Sequence, residues 1–190
     1  MSINIFWPDE EDLRSRGFER VAHVPYLFDG EWTYLREPST YLVERALLDW
    51  TPGTKNNLGT NKMPTKQSLQ TYAESLSNFL EWAELRGVDW RTATYTDHLL
   101  GGYQKEMTQG SWSSSGRPLA PSTINARLQE ACNFLAWSAN RGLRDDFVVQ
   151  TTTMRIAIGG ATDSHGHRIR EVESRIGKVR LHPKTLRLPT

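Results

Sequence analysis

Cysteine is almost missing from this chain: Cys132 is the only one in 190 residues. No intramolecular disulfide can form, so the fold does not depend on an oxidising compartment. Cys132 falls inside a helical pattern and reads as a small core residue. Long apolar runs are missing as well. No stretch approaches the roughly 18 residues of a membrane span. The amino terminus, MSINIFWPDEEDLRSRG, is acidic where a secretory leader would be basic and then apolar. No membrane association is expected, and the cytosol is the default location. Net charge is close to absent, with 23 Lys+Arg against 22 Asp+Glu. Phosphate-binding glycine loops of the P-loop or dinucleotide type do not occur, and no cofactor is expected.

What is present suffices for a core. Hydrophobic residues make up 37% and aromatics 10%, including seven Trp, which excludes wholesale disorder. Charge is unevenly spread. Residues 1–64 carry 7 Lys+Arg against 10 Asp+Glu, residues 65–150 carry 8 against 9, and residues 151–190 carry 8 against 3. A basic end on a near-neutral body suits an anionic partner, or is simply a solvated tail.

Residues 1–37 scatter aromatics among Pro and Gly and read as an irregular arm. Pro38-Ser39 opens a short helix that Trp50-Thr51-Pro52-Gly53 stops. Residues 51–64 read as a linker. The clearest helix follows, capped by Thr65 or Ser68, with an apolar stripe through Leu69, Leu76, Phe79, Leu80 and Ala83, and Gly87 beyond its end. A second is expected over about 95–108, weakened by Gly101-Gly102. A long third runs over 122–142, with Ile124, Leu128, Cys132 and Leu135 on one face. The ten residues from Asn78 to Gly87 echo those from Asn133 to Gly142, sharing Asn, Phe, Leu, Trp, Arg and Gly. The echo fits either repeat ancestry or two helices that face one core and end with the same chemistry. Trp82 and Trp137 stand beside Phe79 and Phe134 at helical spacing, which marks core and not base stacking.

The stretch PTKQSLQTYAESLSNFLEWAELRGVDWRTAT and the later SGRPLAPSTINARLQEACNFLAWSANRGL resemble the core-binding (SAM-like) domain of tyrosine recombinases, the phage-integrase family. The resemblance covers about 80 residues, 64–143. It implies a small helical bundle that forms one jaw of a clamp around double-stranded DNA, with other protomers as partners on DNA. It also implies a separate catalytic domain in which a Tyr attacks the scissile phosphodiester. The final LRLPT looks like the lead-in to that domain. The last tyrosine is Tyr103, so no nucleophile follows the His165-Gly166-His167-Arg168 string, and that match to the family's His-x-x-Arg reads as chance. This chain is therefore expected to be no enzyme by itself. His165 and His167, with His182, lack a further ligand at metal spacing, and no metal is expected.

Duplex DNA is held through phosphates first, and helix amino-termini are suited to phosphate. Thr65, Lys66, Gln67 and Ser68, with Gln70 just inside, open one helix. Arg117, Ser122, Thr123, Asn125 and Arg127 surround the start of another. Lys and Arg neutralise phosphate, hydroxyls add short hydrogen bonds, and Gln or Asn can reach base edges. By the resemblance, both starts face one groove. Ordinary capping would account for Thr65 and Ser122 equally well. Arg168, Arg170, Lys178 and Arg180 of the basic end would add contacts along a linker. The expected architecture is all-α: an arm over 1–60, a helical core-binding domain over 61–150, and an extended basic tail over 151–190. The expected role is DNA binding for recombination and integration of a mobile element. The rival is a helical protein–protein interaction module with a basic tail.

Overall fold

Apolar residues at helical spacing in the middle of the chain form the core. The computed structural model describes residues 2–53, 62–158 and 168–180. In chain order the elements are β1 (Asn4–Phe6), α1 (Glu10–Ser15), β2 (Tyr26–Phe28), α2 (Arg36–Leu47) and α3 (Lys66–Leu85). A π-helix (Tyr95–Gln104), α4 (Lys105–Gln109), α5 (Pro121–Asn140), β3 (Thr151–Ile158) and β4 (Arg168–Arg175) follow.

The fold is mostly helical, and the all-α expectation is corrected by two antiparallel hairpins. In the first, Asn4 faces Phe28 and Phe6 faces Tyr26. The second runs from Thr151 opposite Arg175 to Ile158 opposite Arg168. The run TTTMRIAI is rich in β-branched residues, which suit a pleated strand. The stretch expected to be an extended tail thus contains, over its described part, both strands of a two-stranded antiparallel sheet.

α3 and α5 form the centre. Leu76, Phe79, Leu128, Phe134 and Leu135 are fully buried, and Leu80 nearly so. Each large apolar side chain removed from water contributes about 1.5–3 kcal/mol. The echo between the two helices is structural. Phe79 stacks on Trp82 with rings 6.3 Å apart at 23°, and Phe134 on Trp137 at 5.9 Å and 23°. Both helices end alike, with Gly87 and Gly142 at φ +63° and +66°. There the amide of Val88 reaches the Ala83 carbonyl and that of Leu143 the Ser138 carbonyl. These are paired Schellman closures, which need a left-handed residue just past the helix. Trp82 and Trp137 are buried, so neither is available to a base.

The segment read as an arm supplies part of the same core. Val24, Leu27, Tyr41, Leu42 and Ala46 are buried with the α3 and α5 residues. Ser39 does not start α2, which begins at Arg36. Its buried hydroxyl accepts the Leu27 amide at 2.9 Å and so ties α2 to β2. Arg45 is also drawn inward. Its guanidinium lies 3.6 Å from the Tyr72 ring centre and pairs with Glu130, which also accepts from Tyr41 Oη at 2.8 Å. Burial pushes the Glu130 carboxyl above its ordinary range, against the pull of Arg45 and Tyr41.

The helix expected over about 95–108 is built differently. Residues 95–104 form the wider π-helix before α4 continues. Gly102 lies where a Cβ would stand 2.7 Å from the Trp82 ring, so its lack of a side chain lets the buried indole sit against it.

Candidate nucleic-acid interface

The two helix starts singled out by sequence are not side by side. On α3 the residue that meets the first turns of α5 is Asn78, whose Oδ1 accepts from Arg127 Nη1 at 3.0 Å. Lys66 precedes Asn78 by twelve residues, about 18 Å at 1.5 Å per residue.

At the α3 start most polar groups are already used. Thr65 caps the helix by accepting the Ser68 amide at 3.2 Å, and the Thr65 and Ser68 hydroxyls are 3.0 Å apart. Lys66 Nζ donates to Glu10 Oε1 at 2.6 Å and lies 5.4 Å from the Trp7 ring centre. That contact holds the Glu10 carboxyl below its ordinary range. Gln70 donates to Glu74 at 2.9 Å. Gln67 is exposed.

The α5 start is different. Ala120 is its cap residue, Pro121 takes the first helical position, and no side chain accepts from the first turn. Ser122 is exposed, Thr123 half-buried, and Arg117 exposed in the loop before them. The first-turn amides of Ser122 and Thr123 thus have no side-chain acceptor among the described residues, and a helix start in this state favours an anion.

Asn125 and Arg127 do not project freely. Arg127 joins a hub in which Asn78 Oδ1 also accepts from Tyr103 Oη at 2.8 Å and Trp112 Nε1 at 3.1 Å. The Asn125 amide is occupied at both ends: its Nδ2 donates to the Val179 carbonyl at 2.8 Å, and its Oδ1 accepts the Val179 amide at 3.0 Å. Arg175 also donates to that Oδ1, at 3.2 Å. Asn125 is a clip that fastens the chain after β4 onto α5, and in this arrangement its Oδ1 is filled and a single Nδ2 hydrogen is left for any other acceptor.

The clip has further anchors. Tyr95 Oη donates to the Ile176 carbonyl, and Gln104 Nε2 donates to the Gly177 carbonyl at 2.7 Å. Gly177 sits at φ +78°, a left-handed conformation that favours glycine, and a Cβ there would meet the Leu100 side chain at 2.8 Å. Lys178 and Arg180, either side of Val179, are both exposed. Neither they nor Arg117 form an ion pair among the described residues. Lys178 and Arg175 line a groove of about 340 Å³ with Asn125, Ala126 and Gln129 of α5, and with Glu173 and Ser174 of β4. The side chains of Arg168 and Arg170 lie outside the described residues, as do His165, His167 and His182.

Sequence reasoning missed four parts of this surface. Gln129 is exposed one turn beyond Asn125 and could have been found by helical spacing. Asn78, Tyr95 and Gln104 carried no signal, because their partners are 25 to 81 residues away in sequence. Among the described residues, no group of His, Cys, Asp or Glu could hold a metal ion, and no helix is long and apolar enough to cross a membrane. No protein-family model, curated protein or solved structure matches the chain.

Proposed function

We propose that this chain binds duplex DNA in the cytosol as the core-binding, SAM-like part of a tyrosine recombinase, serving DNA recombination and integration. Two lines support the reading. The order of helices and Arg-Gly closures over 64–143 resembles that family, as set out above. The stronger support is the two-way bond between Asn125 and Val179. It sets Lys178 and Arg180 beside the first turns of α5, whose start carries Ser122, Thr123 and, just before it, Arg117. Three cations that form no ion pair among the described residues, with an uncapped helix start, are the elements that phosphate contact requires. Glu173 in the groove keeps this from being a uniformly positive patch, so contact depends on where the cations are placed and not on bulk attraction.

A mobility-shift titration with random duplex at several salt concentrations tests the proposal. Arg117→Ala, Lys178→Ala and Arg180→Ala should each lower the slope of log affinity against log salt by about 1. Lys66→Ala should leave it unchanged, because Glu10 already holds that ammonium group. Absence of any shift at low salt, or a shift indifferent to all three substitutions, would falsify the reading. With no tyrosine after Tyr103, incubation with nicked duplex should leave no denaturant-resistant adduct.

A further inference from the structure

The first hairpin carries an exposed aromatic face that DNA binding does not use. Phe6, Trp32 and Tyr34 are 45%, 61% and 45% exposed. All three surround Phe28, with ring centres 6.0, 5.9 and 5.6 Å from it and planes inclined by 85°, 48° and 59°. Such inclined rings leave aromatic faces open to a visitor. The turn that presents Trp32 is closely held. One Asp29 carboxylate oxygen accepts the Glu31 and Thr33 amides at 2.9 and 2.7 Å, and the Asp29 carbonyl accepts the Asn4 side chain at 2.9 Å. Trp32 itself sits at φ +63°, a conformation that bulky residues rarely adopt. Strained backbone of this kind persists only where surrounding bonds impose it, and here they turn a large indole towards water.

Charge decides among occupants. Residues 2–53 hold ten Asp+Glu against five Arg. Arg14 and Arg16 are paired with Glu10 and Asp12 on α1, and Arg45 is buried on Glu130. Arg36 lines a different groove, with Glu44 and Trp137, and Arg20, the fifth, is exposed on the loop before β2. Glu31, adjacent to Trp32, is exposed and forms no ion pair among the described residues. A nucleic-acid strand stacking on these rings would carry its phosphates onto an acidic surface. A purely apolar partner would strip water from Glu31 without replacing it. A guanidinium satisfies both features at once: its plane lies on an aromatic face, and its edge donates to a carboxylate.

We propose that the Phe6–Phe28–Trp32–Tyr34 face is a docking site for an arginine-bearing segment of a protein partner, with Glu31 pairing the guanidinium. The site is separate from the α5 surface, and its occupation does not depend on DNA.

Fluorescence anisotropy with the whole chain and a labelled peptide of Gly-Arg-Leu repeats reads this directly. Saturable binding is expected, weakened about tenfold by Trp32→Ala and about fivefold by Glu31→Gln. Asp49→Asn removes the same charge at the far end of α2 and should change nothing. Replacing each peptide Arg by Gln should abolish binding. Trp32→Ala removes an exposed ring, and an unchanged circular dichroism spectrum would exclude unfolding as the cause of its effect. Equal losses in Glu31→Gln and Asp49→Asn would reduce the effect to bulk charge and overturn the proposal. So would tighter binding of oligothymidine that disappears in Trp32→Ala, which would assign the face to single-stranded nucleic acid. Self-association that Trp32→Ala abolishes would assign it to a second copy of the chain.

Discussion

The starts of α3 and α5 are built from the same residue types and are left in opposite states. At α3, Thr65 closes the helix and Lys66 is neutralised by Glu10. At α5 no side chain caps the first turn, and Lys178 and Arg180 stand beside it on the clipped segment after β4. The difference teaches that a cation or hydroxyl in sequence is only a potential contact. Whether it is free depends on what the rest of the fold brings to it.

Removing what both helices share should break this comparison most severely. Arg45→Met leaves Glu130 unpaired in the core, and a loss of about 3–5 kcal/mol is expected in denaturant titration. Glu130→Gln in the same chain should recover part of it, since no buried charge then remains. Core truncation comes next. Leu135→Ala and Leu80→Ala should each cost about 2–5 kcal/mol, with the larger loss at Leu135, which is wholly buried where Leu80 is 8% exposed. Equal or negligible losses would show that the difference in burial between Leu135 and Leu80 does not set the cost.

The starts themselves are contrasted by smaller substitutions. Thr65→Ala removes a cap and should lower stability by about 1 kcal/mol. Ser122→Ala, at an exposed residue with no capping bond, should stay within about 0.5 kcal/mol yet weaken DNA binding if the proposed interface is correct. A Ser122→Ala variant as unstable as Thr65→Ala would erase the distinction. A further small effect is expected at the end of α3. Hydrogen bonding from Arg86 holds the Glu106 carboxyl below its ordinary range. A lowered carboxylate pKa stabilises the fold above the unfolded value of about 4.3, and that stabilisation is lost as pH falls through the folded value. Arg86→Ala should return the Glu106 titration, followed by NMR, to the ordinary range, with no more than about 1 kcal/mol lost at neutral pH.

Much of the helical body was legible. A stripe through Leu69, Leu76, Phe79 and Leu80 has one reading at 3.6 residues per turn, and an Arg-Gly ending has a local meaning. Both depend on neighbours within four residues. The hairpins were not legible in the same way. β1 pairs with a strand more than twenty residues away, and three-residue strands carry too little alternation to be recognised. The π-helix is not legible as such, because its widened turn meets the buried Trp82, a contact absent from its own sequence.

Among the candidate contacts, the sequence alone supplied chemical types and local geometry: a cap at Thr65, a proline-led start at Pro121, and cations at Lys66, Arg117, Lys178 and Arg180. Tertiary structure decided which of these remain free. Glu10 reaches Lys66 from 56 residues away, Asn78 takes Arg127 from 49, and Asn125 takes Val179 from 54. Helix formation is settled by hydrogen bonds three to five residues long, so it is written locally. The availability of a side chain is settled by whichever distant group arrives within about 3 Å of it, and that is fixed only when the whole chain has packed.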